Sequence, residues 1–166
     1  MSSSGLVFDE VDPAAPEAAE LIAALDQDLG ARNPGLEIHG IAAANFREAG
    51  GVFLVGRLAD NAVACGALRP MEPGAVEVKR MYVRDGYRGR GFGRAMLSAL
   101  EQFASRRGYS TIRLETGGNQ PEAIALYGSA GYRPIPCYGA HATDPISRCF
   151  EKSLAENSID RRRAGG

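Results

Sequence analysis

The sequence predicts an α/β protein with a mixed sheet, and two patterns carry that prediction. Residues 52–68 contain two apolar runs separated by turn residues, which is typical of a β-hairpin. Residues 75–116 read as strand, glycine-rich loop, amphipathic helix and strand, an order that places the two strands parallel. The length of 166 residues, 45% of them hydrophobic, fits a single domain over residues 1–155 and a flexible tail over residues 156–166.

The N-terminal part predicts an edge strand and two helices. The strand spans Leu6 to Val11. Asp12 and Pro13 then supply an N-cap and a first helical position, and Gly30 ends that helix. Apolar residues recur along it every three or four positions: Ala14, Ala18, Leu21, Ile22, Leu25 and Leu29. A second, short helix is predicted over Ile38 to Glu48.

The hairpin is followed by a third strand, Ala75 to Val83, whose apolar side chains change parity half-way along. A β-bulge near Lys79 and Arg80 would bring four apolar side chains to one face and leave Glu77 and Tyr82 on the other. Those four are Val76, Val78, Met81 and Val83. The alternative is a strand that ends early, at Val78.

The segment Arg88 to Ala95 reads RGRGFGRA and predicts a phosphate-binding loop. Glycine adopts φ values that a Cβ atom forbids and lets the backbone approach a ligand, and the helix that follows offers unpaired N–H groups. Between Lys79 and Arg94 there are six cationic side chains and one anionic, although the whole chain has a net charge of −1. A solvated charged face is the alternative. The predicted phosphate-binding residues are Arg88, Gly89, Arg90, Gly91, Phe92, Gly93 and Arg94.

Two helices and three strands are predicted after this loop. Phe92, Met96, Leu100 and Phe103 form the apolar stripe of the first helix, which ends near Gly108. The second helix begins after Asn119 and Gln120, with Pro121 in its first turn, and closes at Gly131. The strands are predicted over Thr111 to Thr116, Tyr132 to Ile135 and Ser147 to Leu154.

Composition and rare residues restrict the function further. The three cysteines, Cys65, Cys137 and Cys149, are widely spaced without a CxxC motif, which favours a reducing, cytoplasmic setting. No apolar run approaches the roughly 18 residues of a membrane helix, so no membrane is expected. His39 and His141 are isolated in the sequence, so neither a metal site nor a histidine triad is predicted. The weak net charge and a tail with three arginines also argue against nucleic acid.

The glycine loop and its surroundings resemble one known family. Arg88, Gly91 and Gly93 meet the pattern Arg/Gln-x-x-Gly-x-Gly/Ala, five residues after the strand that ends at Val83. The later residues Ala125-Leu126-Tyr127 and Gly131-Tyr132 complete the likeness, which covers roughly residues 50 to 154. The chain thus resembles the GCN5-related N-acetyltransferase (GNAT) superfamily. The dinucleotide fingerprint fits less well because Arg94 or Met96 stands where its third glycine belongs.

The resemblance implies a splayed central sheet and acetyl-CoA as cosubstrate, with no metal. Acetyl-CoA would lie between the strand ending at Val83 and the strand from Thr111. The loop would hold its pyrophosphate, and the backbone of Met81, Tyr82 and Val83 would pair with the pantetheine arm. Asn119 would bind the CoA arm or serve only as a helix cap.

The implied reaction is direct attack of a primary amine on the thioester. Glu77 is the candidate base, acting directly or through water, and its alternative is an ion pair with Lys79 or Arg113. Tyr127 is the candidate acid for the departing thiolate, and its alternative is packing of its helix on the sheet. Tyr138 and Glu115 are candidates to face the acceptor.

Two other functions stay open from the sequence. A non-catalytic acyl-CoA-binding regulator would keep the glycine loop and need neither Glu77 nor Tyr127. A dinucleotide-binding enzyme would need the missing third glycine. The identity of the amine acceptor and the oligomeric state, including a homodimer, are left open, because one fold serves many substrates.

Overall fold

The computed structural model describes residues 5–32 and 50–154. These residues belong to two compact units: unit 1 comprises residues 5–32, 50–69 and 79–100, and unit 2 comprises residues 70–78 and 101–154. The helix predicted over residues 38–48, the tail predicted over residues 156–166 and His39 lie outside the described residues. The prediction of a single domain over residues 1–155 stays a prediction.

Unit 1 is built on antiparallel strands and two helices. β1 pairs antiparallel with β2, and β2 with β3. The second half of β4 lies beside β3, since the Arg84 amide donates to the Val63 carbonyl over 2.8 Å. Its elements are β1 (Leu6–Glu10), α1 (Pro16–Arg32), β2 (Val52–Leu58), most of β3 (Asn61–Pro70), the second half of β4 (Ala75–Val83) and the first part of α2 (Phe92–Arg106).

The two faces of the unit 1 sheet are packed by different helices. On one face α1 closes a buried cluster of Ala18, Leu21, Phe53, Val55, Cys65 and Ala67. On the other face α2 packs directly over Gly66, where a Cβ atom would stand 2.7 Å from Leu100 and 3.3 Å from Met96. A glycine is therefore required at position 66 for α2 to lie this close to the strand.

Helix α1 differs from its prediction at both ends. Asp12 does not cap the helix itself; its carboxylate accepts from the Ala14 amide over 2.9 Å in a turn, and the helix begins at Pro16. Gly30 does not end the helix, which continues to Arg32. A glycine inside a helix costs only about 1 kcal/mol relative to alanine, so it does not by itself stop the chain from continuing.

Unit 2 contains the parallel part of the sheet. The first half of β4 runs parallel to β5 (Thr111–Gly117), in a register from Ala75 with Thr111 to Glu77 with Arg113. β7 (Ser147–Ser153) is antiparallel to β5, and β6 (Arg133–Ile135) is antiparallel to β7. The unit also contains α3 (Pro121–Ser129) and a 3₁₀ helix (Gly139–Thr143). The described residues thus form seven strands and three α-helices, which confirms the mixed α/β fold class.

Strand β4 belongs to both units and confirms the longer of the two predictions for it. The strand order is β1-β2-β3-β4 in unit 1 and β4-β5-β7-β6 in unit 2. β4 reaches Val83, so the alternative of a strand that ends at Val78 is wrong. Arg80 lies at φ +56° inside the strand, the position at which the apolar pattern changes parity. Left-handed backbone in a strand accompanies a local irregularity of the predicted kind.

Candidate active site

The glycine-rich loop of unit 1 has the backbone that its sequence predicts. Gly89 and Gly91 of the loop adopt φ values of +80° and +81°, and Gly86 just before the loop adopts +91°, a region that side chains with a Cβ atom rarely enter. A Cβ atom placed on any of the three would find no atom within 4 Å. The space in front of these glycines is therefore open to a ligand that approaches the backbone.

Helix α2 starts at the end of this loop. Its first backbone hydrogen bond runs from the Ala95 amide to the Gly91 carbonyl, at 3.1 Å. The amides of the three preceding residues have no intrahelical acceptor, and the helix dipole adds positive charge at this end. Phe92 anchors the turn, being only 5% exposed. The loop and the helix start together offer donors suited to an anion such as pyrophosphate.

Two arginines of the loop stand against tyrosine rings. The Arg88 Nε donates to the Val83 carbonyl over 3.0 Å, and its guanidinium lies 5.4 Å from the centroid of the Tyr82 ring. Arg90 lies 5.4 Å from the centroid of the Tyr87 ring. Such stacking fixes a guanidinium with little loss of hydration. Arg88 therefore braces the loop against the end of β4, in addition to the phosphate contact predicted for it.

Unit 2 holds a buried carboxylate on β4. Glu77 is 4% exposed, and its Oε2 accepts a hydrogen bond from the Tyr138 hydroxyl at 2.8 Å. Burial, and then the negative charge of Glu77, raise the pKa of Tyr138 well above that of a free tyrosine. Tyr138 therefore stays protonated and acts as a fixed donor to Glu77.

His141 stands between Glu77 and a second carboxylate. Its Nε2 is 3.6 Å from the Glu77 Oε2, and its Nδ1 is 3.1 Å from the Glu115 Oε2. The Ser147 hydroxyl donates to the same Glu115 oxygen over 2.7 Å. The Tyr138 ring meets the imidazole edge-on, with 5.7 Å between centroids. We call Glu77, Glu115, Tyr138, His141 and Ser147 the carboxylate cluster.

One of the two cationic partners considered for Glu77, Arg113, has other anionic partners, and the pairing with Lys79 stays a prediction. Arg113 forms ion pairs with Glu72 and Glu151, the latter at 2.8 Å. Hydrogen bonds from Arg113, and then from Arg133, lower the pKa of Glu151. The role of Glu77 as base stays a prediction.

Tyr127 is buried on α3, with its ring 6.0 Å from those of both Tyr132 and Phe150. Burial raises its pKa to about 12, and the charge of Glu115 contributes less. The packing role considered for Tyr127 is therefore observed, while its role as acid stays a prediction. The N-cap position of α3 is Gln120, whose side chain forms no cap bond, so the helix-cap alternative for Asn119 is wrong.

Cys137 and Cys149 form a disulfide, whereas the sequence predicted no pairing among the three cysteines. Their separation of 12 residues matches no motif, so only the pairing of β6 with β7 brings them together. The bridge closes the segment that carries Tyr138, His141 and Ser147. Cys65 is a free, buried thiol whose pKa burial raises to about 12, a state that is unreactive.

We expect removal of this disulfide to lower stability. Cys137→Ser with Cys149→Ser should reduce the free energy of unfolding by about 3 kcal/mol, because the bridge restricts the unfolded chain. Urea titration without reductant measures it, and dithiothreitol should reproduce the loss in the parent protein. Cys65→Ala is the control: it should retain the response to reductant. An unfolding midpoint that ignores reductant in the parent protein would contradict the pairing.

No sequence signal pointed to His141. It is one of two histidines, and the residues that flank it include no acid within two positions. Its acidic partners come from β4 and β5, at sequence separations that no local pattern records. Tyr138 and Glu115, named as candidates to face the acceptor, both belong to the carboxylate cluster.

Comparison with known proteins decides the family. Residues 18–132 match the sequence profile of the acetyltransferase (GNAT) family. The chain belongs to the GNAT family. The matched range includes Glu77, the glycine loop and Tyr127, and it ends before Tyr138 and His141.

Relatives of this GNAT protein cover nearly its whole length. An IAA acetyltransferase of Azospirillum brasilense is 36% identical over 148 residues, which is 86% of this chain and 94% of the relative. An acyl-CoA N-acyltransferase structure from Klebsiella pneumoniae is 33% identical, with a TM-score of 0.77, and the match covers 92% of this chain and 99% of that one.

A further structure supports the GNAT fold. A GNAT acetyltransferase from Elizabethkingia anophelis, solved with acetyl-CoA bound, matches with a TM-score of 0.67 at 15% identity and covers 90% of this chain and 98% of its own. Among the described residues of the GNAT protein, no helix is long and apolar enough to cross a membrane. In the same residues, no three His, Cys, Asp or Glu side chains are arranged so that they could hold a metal ion.

Proposed function

We propose that this GNAT protein transfers the acetyl group of acetyl-CoA to a primary amine by direct attack on the thioester. The glycine loop carries the proposal, because its left-handed glycines leave open space in front of the donors at the start of α2. Membership of the family and the acetyl-CoA bound to the Elizabethkingia neighbour support the choice of cosubstrate.

In this proposal the loop residues 88–94 bind the pyrophosphate. Backbone amides and the Arg90 and Arg94 guanidinium groups supply charge-assisted donors, each worth more than a neutral hydrogen bond. The backbone of Met81, Tyr82 and Val83 binds the pantetheine arm as an added strand would. Asn119, which follows β5 directly, remains a proposed contact to the CoA arm.

Glu77 is the proposed base. Its carboxylate is buried, which strengthens its interaction with a cationic substrate, and the Tyr138 hydroxyl fixes one of its oxygens. An ammonium group must lose a proton before its nitrogen can attack. General bases contribute about 10²- to 10⁴-fold to such reactions.

Tyr127 is proposed to stabilise the thiolate that leaves. With a pKa of about 12, its hydroxyl is protonated throughout the physiological range and is a weaker acid than an ordinary thiol of pKa about 8.5. It therefore acts first as a hydrogen-bond donor to the sulfur.

We expect Tyr127→Phe to lower kcat about tenfold, the effect of one lost hydrogen bond to a charged atom, with little change in acetyl-CoA affinity. Rates and isothermal calorimetry measure the two quantities. In the parent protein, Tyr127 should cause no loss of rate below about pH 11, because its pKa of about 12 keeps it protonated there. Equal losses of rate and affinity, or no loss of either, would contradict this role.

Calorimetry with acetyl-CoA tests the proposal, with NAD and ATP as controls. Micromolar, selective binding of acetyl-CoA is expected. A panel of primary alkyl amines should then release the CoA thiol, and the panel should include the acceptor for which the Azospirillum relative is named. Binding without turnover across the panel would favour an acyl-CoA-binding regulator. No binding would overturn the assignment of the loop.

A cytoplasmic location stays a proposal, which the sequence favours only through its widely spaced cysteines without a CxxC motif. Because Cys137 and Cys149 form a disulfide, the cysteines no longer support that location.

A further inference from the structure

Glu77, the proposed base, needs a route by which the proton it takes from the substrate reaches solvent. A primary alkyl amine has a pKa of about 10.4 and binds mainly as an ammonium ion at neutral pH. Acetylation of that ion yields the amide, the CoA thiol and one proton. Each turnover therefore releases one proton, and Glu77 must return to the carboxylate before the next ammonium arrives.

Glu77 itself has little access to water, since its side chain is 5% exposed. The Tyr138 hydroxyl donates a hydrogen bond to the Glu77 Oε2, and its raised pKa keeps it protonated, so it cannot accept a proton from Glu77. The imidazole of His141, in contrast, is 23% exposed, and the Glu115 side chain is 24% exposed. These two groups connect the buried carboxylate to solvent.

From this geometry we infer that His141 carries the proton from Glu77 to solvent, with Glu115 holding the imidazole in place. The inference rests on the proposed function. The Glu115 Oε2 lies 3.1 Å from the His141 Nδ1, and the Glu77 Oε2 lies 3.6 Å from its Nε2. In the proposed step the neutral imidazole carries its proton on Nδ1, beside Glu115, and offers its Nε2 lone pair to Glu77. Such contacts are often long before a substrate is bound.

The step balances without another reactant. The ammonium N–H bond breaks as the Glu77 O–H bond forms; the Glu77 O–H bond then breaks as the His141 Nε2–H bond forms. The imidazolium, held between two carboxylates, releases one proton to water. His141 thus acts through Glu77 and touches no reacting atom.

The imidazole of His141 is surrounded by groups from three strands and from the N-cap of its own 3₁₀ helix. Glu77 of β4 and Glu115 of β5 face its two nitrogens, and Tyr138 packs against its ring. Arg113 of β5 is the opposing cation nearby, since its charge also acts on Tyr138, but its donors are directed to Glu72 and Glu151. Ser147 of β7 adds a neutral donor to Glu115.

His141→Ala and His141→Gln test the inference, with Glu72→Gln as the matched control on an exposed carboxylate of the same unit. The alkyl amine turned over fastest in the panel serves as acceptor. Both His141 variants should lose on the order of 10²-fold in kcat near pH 7, while acetyl-CoA binding and KM change little. Imidazole added to His141→Ala should restore rate in proportion to its concentration.

The pH dependence of the two variants' rates distinguishes a proton-transfer role of His141 from a purely structural one. Near pH 10 much of an alkyl amine is already neutral, so Glu77 has fewer ammonium protons to accept and pass on, and the defect of both variants should shrink. A defect that is constant with pH and insensitive to imidazole, or full activity of both variants, overturns the inference alone. If the parent protein acetylates no amine of the panel, the proposed function fails, and the inference fails with it.

Discussion

Gly91→Val is expected to reduce acetyl-CoA affinity at least about 100-fold. The φ value of Gly91 is +81°, and the space that a side chain would fill is open. A valine there occupies the place assigned to the pyrophosphate and displaces the amides at the start of α2. Losing two charge-assisted hydrogen bonds corresponds to about 3 kcal/mol, which is about 100-fold in the dissociation constant.

The matched control for this variant is Gly108→Val. Gly108 follows α2, has a φ value of +89° and also faces open space. Both substitutions force a side chain into left-handed backbone, at a cost of about 1–2 kcal/mol in unfolding free energy. Only Gly91→Val should lose acetyl-CoA binding in calorimetry. Equal affinity in the two variants would remove the loop from the binding site.

Glu77→Gln is expected to lower kcat by about 10²- to 10⁴-fold, the range for loss of a general base. Glutamine has nearly the same shape, and its amide oxygen still accepts the Tyr138 hydrogen bond, but it takes no proton from an ammonium ion. The variant should therefore fold and bind acetyl-CoA with nearly the parent affinity. Steady-state rates of CoA thiol release and calorimetry measure these quantities.

Glu72→Gln provides the control for Glu77→Gln. Glu72 lies in the turn before β4, and its side chain is 54% exposed. It should retain the parent rate, because an exposed ion pair contributes little. If Glu77→Gln acetylates amines at the parent rate, Glu77 is a structural carboxylate, and another group must accept the ammonium proton.

Much of the fold could be read from local patterns. The bounds predicted for β4, Ala75 to Val83, agree with the structure, because alternating side chains and flanking turn residues lie within the strand itself. The stripe on α2 was equally local. The prediction was wrong at both ends of helix α1. Asp12 is compatible with a helix cap or with a turn before the helix, and Gly30 with a helix end or with a helix that continues. Packing decides between these possibilities.

The sequence predicts only some members of the carboxylate cluster. The sequence predicts Glu77 as a candidate from its place on a cationic strand, and Tyr138 and Glu115 as candidates to face the acceptor. The sequence does not predict a role for His141, because an isolated histidine forms no motif. Its two carboxylate partners are 64 and 26 residues away in the sequence, and only the 3₁₀ helix between β6 and β7 brings it to them.

The sequence by itself determined the strand and helix pattern, the glycine loop and the family, because each depends on residues that are neighbours along the chain. The tertiary structure decided the pairing of Cys137 with Cys149, the burial of Glu77 and the position of His141 between two glutamates. These depend on which strands lie side by side. Strand pairing brings together residues distant in sequence, and no local propensity records that choice.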